Sequence, residues 1–286
     1  MSPSPIGIFD SGLGGLSVLR EVRALLPHET LLYLADSRYA PYGDKPQAFV
    51  QARTLQACEW LAAQGCKALV VACNTATAHG IQALRERLTL PIVGVEPGLK
   101  PAVAASRSKV VGVLATANTL ASDKFARLLH SLEDQCRFVC QPGGGLVARI
   151  EQGDVDGPQV RERLQTCLAP MLEAGADTLV LGCTHYPFLS ETVRKLIGER
   201  MTLIDTGVAV ARQLQRKLAE HGLAADAEMS VTTGVKTGVE RGANPIAVAR
   251  YCTTSDAEHL RRMARALLHV DAAAETVVIE PAPISL

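Results

Sequence analysis

Two short segments of the chain read as copies of one another: Leu69-Val70-Val71-Ala72-Cys73-Asn74-Thr75 and Leu179-Val180-Leu181-Gly182-Cys183-Thr184-His185. Each is an apolar, partly β-branched run that stops at a cysteine followed by small polar residues. A helical pattern follows each one. An apolar run of this kind reads as a strand buried on both faces of a parallel sheet. The carboxyl end of such a strand is where open α/β sheets bind their ligands. Two thiols in matching positions therefore suggest one thiol on each face of a single substrate.

The rest of the chain alternates in the same way. Ile6–Phe9, Leu31–Ala35, Ala68–Ala72, Ile92–Val95, Val110–Ala115, Phe138–Cys140, Thr178–Gly182 and Leu203–Ile204 are predicted strands. Between them, Leu16–Leu26, Pro46–Ala63, Ala76–Leu88, Thr119–Leu132, Val160–Ala174 and Glu191–Ile197 carry helical patterns, with Gly65 and Gly175 marking two helix ends. The expected class is α/β, with mainly parallel sheets flanked by helices. Because the two cysteine segments recur within successive parts of the alternation, two pseudo-symmetric lobes are expected, with the active site in the cleft between them.

Pro/Gly punctuation at Glu96-Pro97-Gly98-Leu99-Lys100-Pro101 marks one lobe boundary, and Asp205-Thr206-Gly207 marks another before a helix over Val208–Glu220. This gives a first lobe of residues 1–97, completed by 207–286, and a second of 98–206. The tail reads as strands at Glu228–Val231 and Ala249–Thr253 and a helix near Asp256–Leu268. Gly234–Pro245 is expected to be a loop and Val270–Leu286 to be loosely ordered.

Composition narrows the function classes. Among 286 residues, 29 basic side chains balance 29 acidic ones, which leaves no electrostatic footprint for nucleic acid or an anionic membrane. There is no run of about 18 apolar residues to span a bilayer. The start, Met1–Pro5, has neither the charged nor the apolar region of a signal peptide, so a cytoplasmic protein is expected. Eight cysteines in a long chain of this kind read as free thiols rather than a disulfide framework. Cys58, Cys66 and Cys167 fall in or beside Ala/Leu-rich helical stretches, as small hydrophobes do. Cys136 and Cys140 have a ligand-like spacing without the second pair that a zinc site needs.

Near the amino terminus, Ile6–Phe9 ends in Asp10-Ser11-Gly12-Leu13-Gly14-Gly15 before a helix. This turn lacks Gly-Lys-Ser/Thr and does not fit Gly-x-Gly-x-x-Gly, so it is no nucleotide loop. It has two readings: Asp10 or Ser11 caps a helix and the glycines permit a tight turn, or Asp10 is a third polar group facing the cleft beside Cys73.

Two opposed thiols suit one chemistry well. Inverting a carbon that carries a carboxylate and an ammonium needs a base on one face and an acid on the other. A thiol has a pKa of about 8.5, lowered near helix N-termini or cations, and can serve either role. Helical amides behind each cysteine would favour thiolate and bind carboxylates. In an extended segment Cys183 and His185 project to one side, so His185 is placed to assist. The scheme needs no pyridoxal phosphate, metal or other cofactor.

The chain resembles the glutamate racemases, a family of the cofactor-independent aspartate/glutamate racemase superfamily. The resemblance covers about Ile6 to Ile204, with a weaker stretch over Tyr251–Leu268. It rests on Phe9-Asp10-Ser11-Gly12-x-Gly14-Gly15, Pro41-Tyr42-Gly43, Ala72-Cys73-Asn74-Thr75-Ala76 and Gly182-Cys183-Thr184-His185-Tyr186-Pro187, in the family's order. It implies racemisation of glutamate, supplying D-glutamate for peptidoglycan. Cys73 would serve the D-substrate and Cys183 the L-substrate, assisted by Asp10 and His185 respectively. Asp10-Ser11, Tyr42-Gly43, Asn74-Thr75 and Thr184-His185 would hold the substrate, joined by Thr116 and Thr119. Glu151 matches a carboxylate near the second cysteine in many relatives; the alternative is a solvated helix residue.

Gly143-Gly144-Gly145 and Gly234–Pro245 depart from the family pattern. The short leader before Ile6 argues against activation by a cell-wall precursor, and a homodimer is the default assembly. Three other readings stay open: an aspartate racemase with a shorter pocket, a cysteine hydrolase using Cys183 with His185, and a non-catalytic amino-acid binding module.

Overall fold

The structure, a computed structural model, describes residues 4–225 and 249–280. The first lobe-like unit begins with β1 (Ile6–Asp10), α1 (Leu16–Leu25), β2 (Leu31–Ala35), α2 (Gln47–Ala63), β3 (Ala68–Val71), α3 (Asn74–Arg87) and β4 (Ile92–Gly94). A second run follows with α4 (Leu99–Ala105), β5 (Val110–Ala115), α5 (Ala117–Leu120), α6 (Asp123–His130), β6 (Arg137–Pro142) and α7 (Leu146–Glu151). It continues through α8 (Pro158–Glu173), β7 (Thr178–Gly182), α9 (Ser190–Ile197) and β8 (Thr202–Ile204). The chain then passes through α10 (Gly207–Glu220), β9 (Ala249–Thr253), α11 (Ala257–Leu268) and β10 (Ala274–Thr276).

The strands form two sheets, ordered β10-β9-β2-β1-β3-β4 and β6-β5-β7-β8. Among the described residues every strand pair is parallel. The order 2-1-3-4 of the first sheet is repeated as 6-5-7-8 in the second, so β3 and β7 occupy the same place in their sheets. Both are fully buried and, apart from Thr178 at the start of β7, without polar side chains, as strands with helices on both faces must be. Apolar clusters fill both faces of each sheet: Ile8, Val70, Leu19 and Leu214 on one side of the first, and Leu69, Val71, Leu61 and Leu84 on the other. Leu179, Leu181 and Leu164 line one face of the second, with Val111, Val113 and Val180 on the other.

Within the described residues the chain passes between the sheets twice, after β4 and after β8. A Cβ built on Gly98 would meet methyl groups of Ile204 at 2.9 Å and Thr206 at 3.2 Å, so the two crossings touch.

Several expectations need correction. The helix expected over Thr119–Leu132 is two helices, α5 and α6, because Ser122 stops one and N-caps the next through Phe125 N–H. α4 and α7 were not anticipated; α7 starts at Gly145, whose φ of +83° suits glycine. The segment after Val270, expected to be loose, adds β10 to β9 and buries Ile279 as far as it is described. Residues 228–231, 234–245 and 281–286 lie outside the described residues.

Candidate active site

The glycines after β1 serve contact between the lobes. A Cβ on Gly12 would collide with the Glu151 carboxylate, and one on Gly14 with the His185 ring. Without side chains, the 11–15 turn seats against the second sheet's strand ends. Ser17 Oγ donates to the carbonyl of Thr184 at 2.9 Å, and Tyr33 Oη fixes the turn by donating to Gly12 O at 2.7 Å. The turn thus positions Asp10 and Ser11 between the two lobes.

Cys73 lies two residues beyond β3 and is the N-cap of α3. Its Sγ accepts from Ala76 N–H at 3.4 Å and lies 3.4 Å from Ser11 Oγ. A helix N-terminus by itself favours the thiolate. Burial wins instead: together with the negative charge of Asp10 it pushes the thiol up to about 12, against the smaller lowering from Ser11 and Ala76. Charge on Cys183 pushes in the same direction.

Asp10 is fully buried, and burial raises its pKa above the ordinary carboxylate range. The His185 charge, Gly12 N–H and Thr184 lower it in part, whereas Glu151 raises it. Its Oδ2 accepts from Gly12 N–H at 2.8 Å and its Oδ1 from Thr184 Oγ1 at 3.0 Å.

Cys183 follows β7 but does not cap a long helix. A 3₁₀ turn over Tyr186–Leu189 comes first, so the dipole argument applies only to Cys73. Nor is the segment extended at His185, where φ is −75° and ψ −31°. The turn itself brings His185 Nδ1 to 3.8 Å from Cys183 Sγ. On its far side, Nε2 lies 2.5 Å from Glu151 Oε1. Gly14 N–H is also 3.1 Å from Nε2, but a protonated Nε2 cannot accept from it. The shorter contact and the carboxylate charge decide for Nε2 donating to Glu151. Burial disfavours the imidazolium, yet Cys183 and Glu151 outweigh it and hold the His185 pKa well above its ordinary value.

Glu151 is no solvated helix residue. Its carboxylate also accepts from Leu13 N–H at 2.6 Å, across the cleft. Thr75, Thr116 and Thr119 form a hydroxyl triad at 2.9–3.3 Å that joins α3 to α5. Asn74 Oδ1 is buried without a partner among the described residues.

Tyr42 stands apart from these clusters. Its hydroxyl donates to Asp36 Oδ2 at 2.5 Å, so the residue can offer the cleft only its backbone. Gly43 lies against Thr116.

Two contributors went unrecognised in the sequence. Asp36 ends β2, buried, and receives Arg53 Nη2 at 2.7 Å, Thr254 Oγ1 at 2.9 Å and the Tyr42 hydroxyl. Asn118 donates from one amide nitrogen to Tyr42 O at 3.0 Å and Lys45 O at 2.7 Å, tying the 42–45 turn to α5. Asp36 had a readable signal, a polar residue closing a buried strand as Asp10 does. Asn118 had none beyond its place between Thr116 and Thr119.

All eight cysteines are free thiols. Among the described residues no three His, Cys, Asp or Glu side chains converge as metal ligands, and no helix is long and apolar enough to cross a membrane.

A sequence profile of the Asp/Glu/Hydantoin racemase family matches residues 16–214. A glutamate racemase of Cupriavidus pinatubonensis is 68% identical over 283 residues, covering 99% of this chain and 98% of the relative. Among solved structures, a glutamate racemase isoform from Bacillus anthracis superposes with a TM-score of 0.83 at 31% identity, covering 96% of this chain and 98% of its own. A glutamate racemase from Francisella tularensis in complex with D-glutamate gives 0.79 at 28% identity, covering 98% and 99%. The chain belongs to the Asp/Glu/Hydantoin racemase family.

Proposed function

We propose that this protein interconverts L- and D-glutamate without a cofactor, by abstraction of the α-proton at one thiol and donation from the other. The observation that carries this reading is the pair of cysteines closing β3 and β7, equivalent strands of two like-ordered sheets, each thiol with its own set of partners. Relatives named glutamate racemase at high identity support the substrate.

In this reading Cys183 takes the α-proton of L-glutamate, with His185 at Nδ1 assisting its release to thiolate, and Cys73 returns a proton to the opposite face. In reverse the roles exchange, with Asp10 serving Cys73. A substrate ammonium beside Asp10 and Cys73 would offset the negative charge that raises both groups, easing ionisation when the amino acid is in place. The threonine triad and Asn74 supply donors for the carboxylates. D-glutamate would pass to peptidoglycan synthesis in the cytoplasm. The chain would divide at 97/98 and 206/207.

A cysteine hydrolase built on Cys183 and His185 gives Cys73 no task, and a binding module gives none to either thiol. The test is incubation of L- and D-glutamate, and of both aspartates, in deuterated water without added cofactor. Chiral analysis should show each glutamate inverting and gaining deuterium at the α-carbon. No inversion under reducing conditions, or inversion only with pyridoxal phosphate, would overturn the proposal.

A further inference from the structure

α11 belongs to the six-stranded unit, yet it reaches across to the end of α7. His259 Nε2 lies 2.7 Å from the carbonyl oxygen of Glu151, the last residue of α7. The last carbonyls of a helix have no partner inside it. The neighbouring turn bonds go to Ala148, Arg149 and Ile150, which leaves the Glu151 carbonyl to His259. One turn further along α11, Met263 Sδ would be 3.4 Å from a Cβ on Gly153, so two residues of one helix face cover the α7 terminus.

The tautomer is settled by the other ring nitrogen. Arg262 Nη2 lies 3.3 Å from His259 Nδ1. A guanidinium only donates, so Nδ1 accepts and the ring proton resides on Nε2, aimed at the carbonyl. Glu151 is thereby held at both ends: its backbone by His259, and its carboxylate by Leu13 N–H and the His185 ring.

We propose that His259, oriented by Arg262, is a positioning residue that sets Glu151 against His185 and thereby tunes the Cys183 half of the site. The proposal rests on the functional reading above, in which Cys183 handles the α-proton of L-glutamate. Its consequence is larger on one side. Loosening Glu151 should raise the barrier for proton transfer at Cys183 more than the barrier at Cys73, since Glu151 contacts the His185 ring directly.

Primary isotope effects separate the two transfers. In H2O, deuterium on the α-carbon of L-glutamate is removed at Cys183, and deuterium on that of D-glutamate at Cys73. His259→Ala should lower kcat/KM about three- to tenfold, the scale of one neutral hydrogen bond. The isotope effect from α-deuterated L-glutamate should rise, and that from D-glutamate should fall. His259→Gln, which keeps a donor, should restore most of both. A general structural defect would lower the rate and leave the two isotope effects where they were, and that result overturns the proposal, as does unchanged turnover in His259→Ala. If His259→Ala does not fold, Arg262→Ala is measured in its place and should shift the same two isotope effects in the same directions.

A second readout does not depend on turnover. Alkylation of Cys183 by iodoacetamide, followed by mass spectrometry, should be slower in His259→Ala than in wild type, because the His185 ring 3.8 Å from Cys183 Sγ is then held less firmly. If the wild-type protein does not racemise glutamate, the functional reading falls. An unchanged alkylation rate then overturns this inference separately.

Discussion

Thr184 Oγ1 donates to Asp10 Oδ1 at 3.0 Å, joining the strand end that bears one thiol to the carboxylate beside the other. Both residues are buried, and a hydrogen bond to a buried carboxylate stabilises its charged form by about 1.5–3 kcal/mol. Thr184→Val keeps the shape and removes the donor. Asp10 should then ionise less readily, and kcat/KM should fall about tenfold in both directions alike, because the equilibrium between enantiomers fixes their ratio at one. Circular dichroism of the glutamate pool follows the reaction from either side. Wild-type rates in this variant would remove the bond from the catalytic account.

Cys73→Ala and Cys183→Ala should each abolish racemisation, since a base without an opposed acid cannot complete inversion. Cys58 and Cys167, buried in the apolar clusters, serve as controls. Their alanine variants should keep turnover and lose about 1–2 kcal/mol of stability. A folded Cys73→Ala protein that still racemises glutamate would refute the two-thiol scheme.

In the proposed scheme Asp10 serves Cys73 and His185 serves Cys183, so Asp10→Asn and His185→Asn should depress the two kcat values unequally. Each should favour the direction whose abstraction does not depend on the lost group. Initial rates at saturating L- and D-glutamate report this. Equal losses in both variants would make the two residues scaffolding.

Alkali should destabilise the fold through its thiols. Burial pushes Cys66, Cys73 and Cys252 up to about 12 and Cys140 to about 11, from an ordinary value of 9.0. Between those limits the unfolded chain has released protons that the folded chain retains, so stability falls as pH rises through the window. Below about pH 9 these groups contribute no slope. Tm measured from pH 8 to 10.5 should be flat at first and then decline. A Cys66→Ala/Cys252→Ala variant should decline less steeply, and an identical slope would assign the effect elsewhere.

Arg53 and Asp36 form an ion pair in which the side chains are 3% and 0% exposed. Removing one partner strands a buried charge. Arg53→Met should cost about 3–5 kcal/mol in urea unfolding, with part recovered in the Asp36→Asn/Arg53→Met double variant. A loss below about 1 kcal/mol would show that the pair does not act as a buried ion pair.

Sequence periodicity located most strands because β1, β3, β5 and β7 are apolar on both faces, a pattern that tertiary context reinforces. It located the two thiols because each closes such a strand. It misjudged what surrounds them. A helix N-terminus can be read at Cys73, but the carboxylate and burial that outweigh it come from residues far apart in the chain. The extended geometry assumed for Cys183 and His185 failed because Tyr186-Pro187 turns the chain at once. Asn118 was invisible for a related reason: its partners are backbone carbonyls of the 42–45 turn, and carbonyls carry no sequence signal. Ala274–Thr276 lacks a strand pattern of its own and gains its partner from β9.

The contact of Gly98 with Ile204 and Thr206 means that the two covalent crossings form one seam rather than two separate tethers. The other links between the lobes described above are noncovalent, among them Asp10 to Thr184, Ser17 to Thr184, Leu13 to Glu151, Thr75 to Thr116, Asn118 to Tyr42 and His259 to Glu151. A pair of bodies bound along one edge has a single easy motion, pivoting about that edge. For the lobes to part, the bonds that hold Asp10 and Glu151 in place must give way, so parting the lobes to exchange ligand would dismantle the proposed catalytic geometry in the same event.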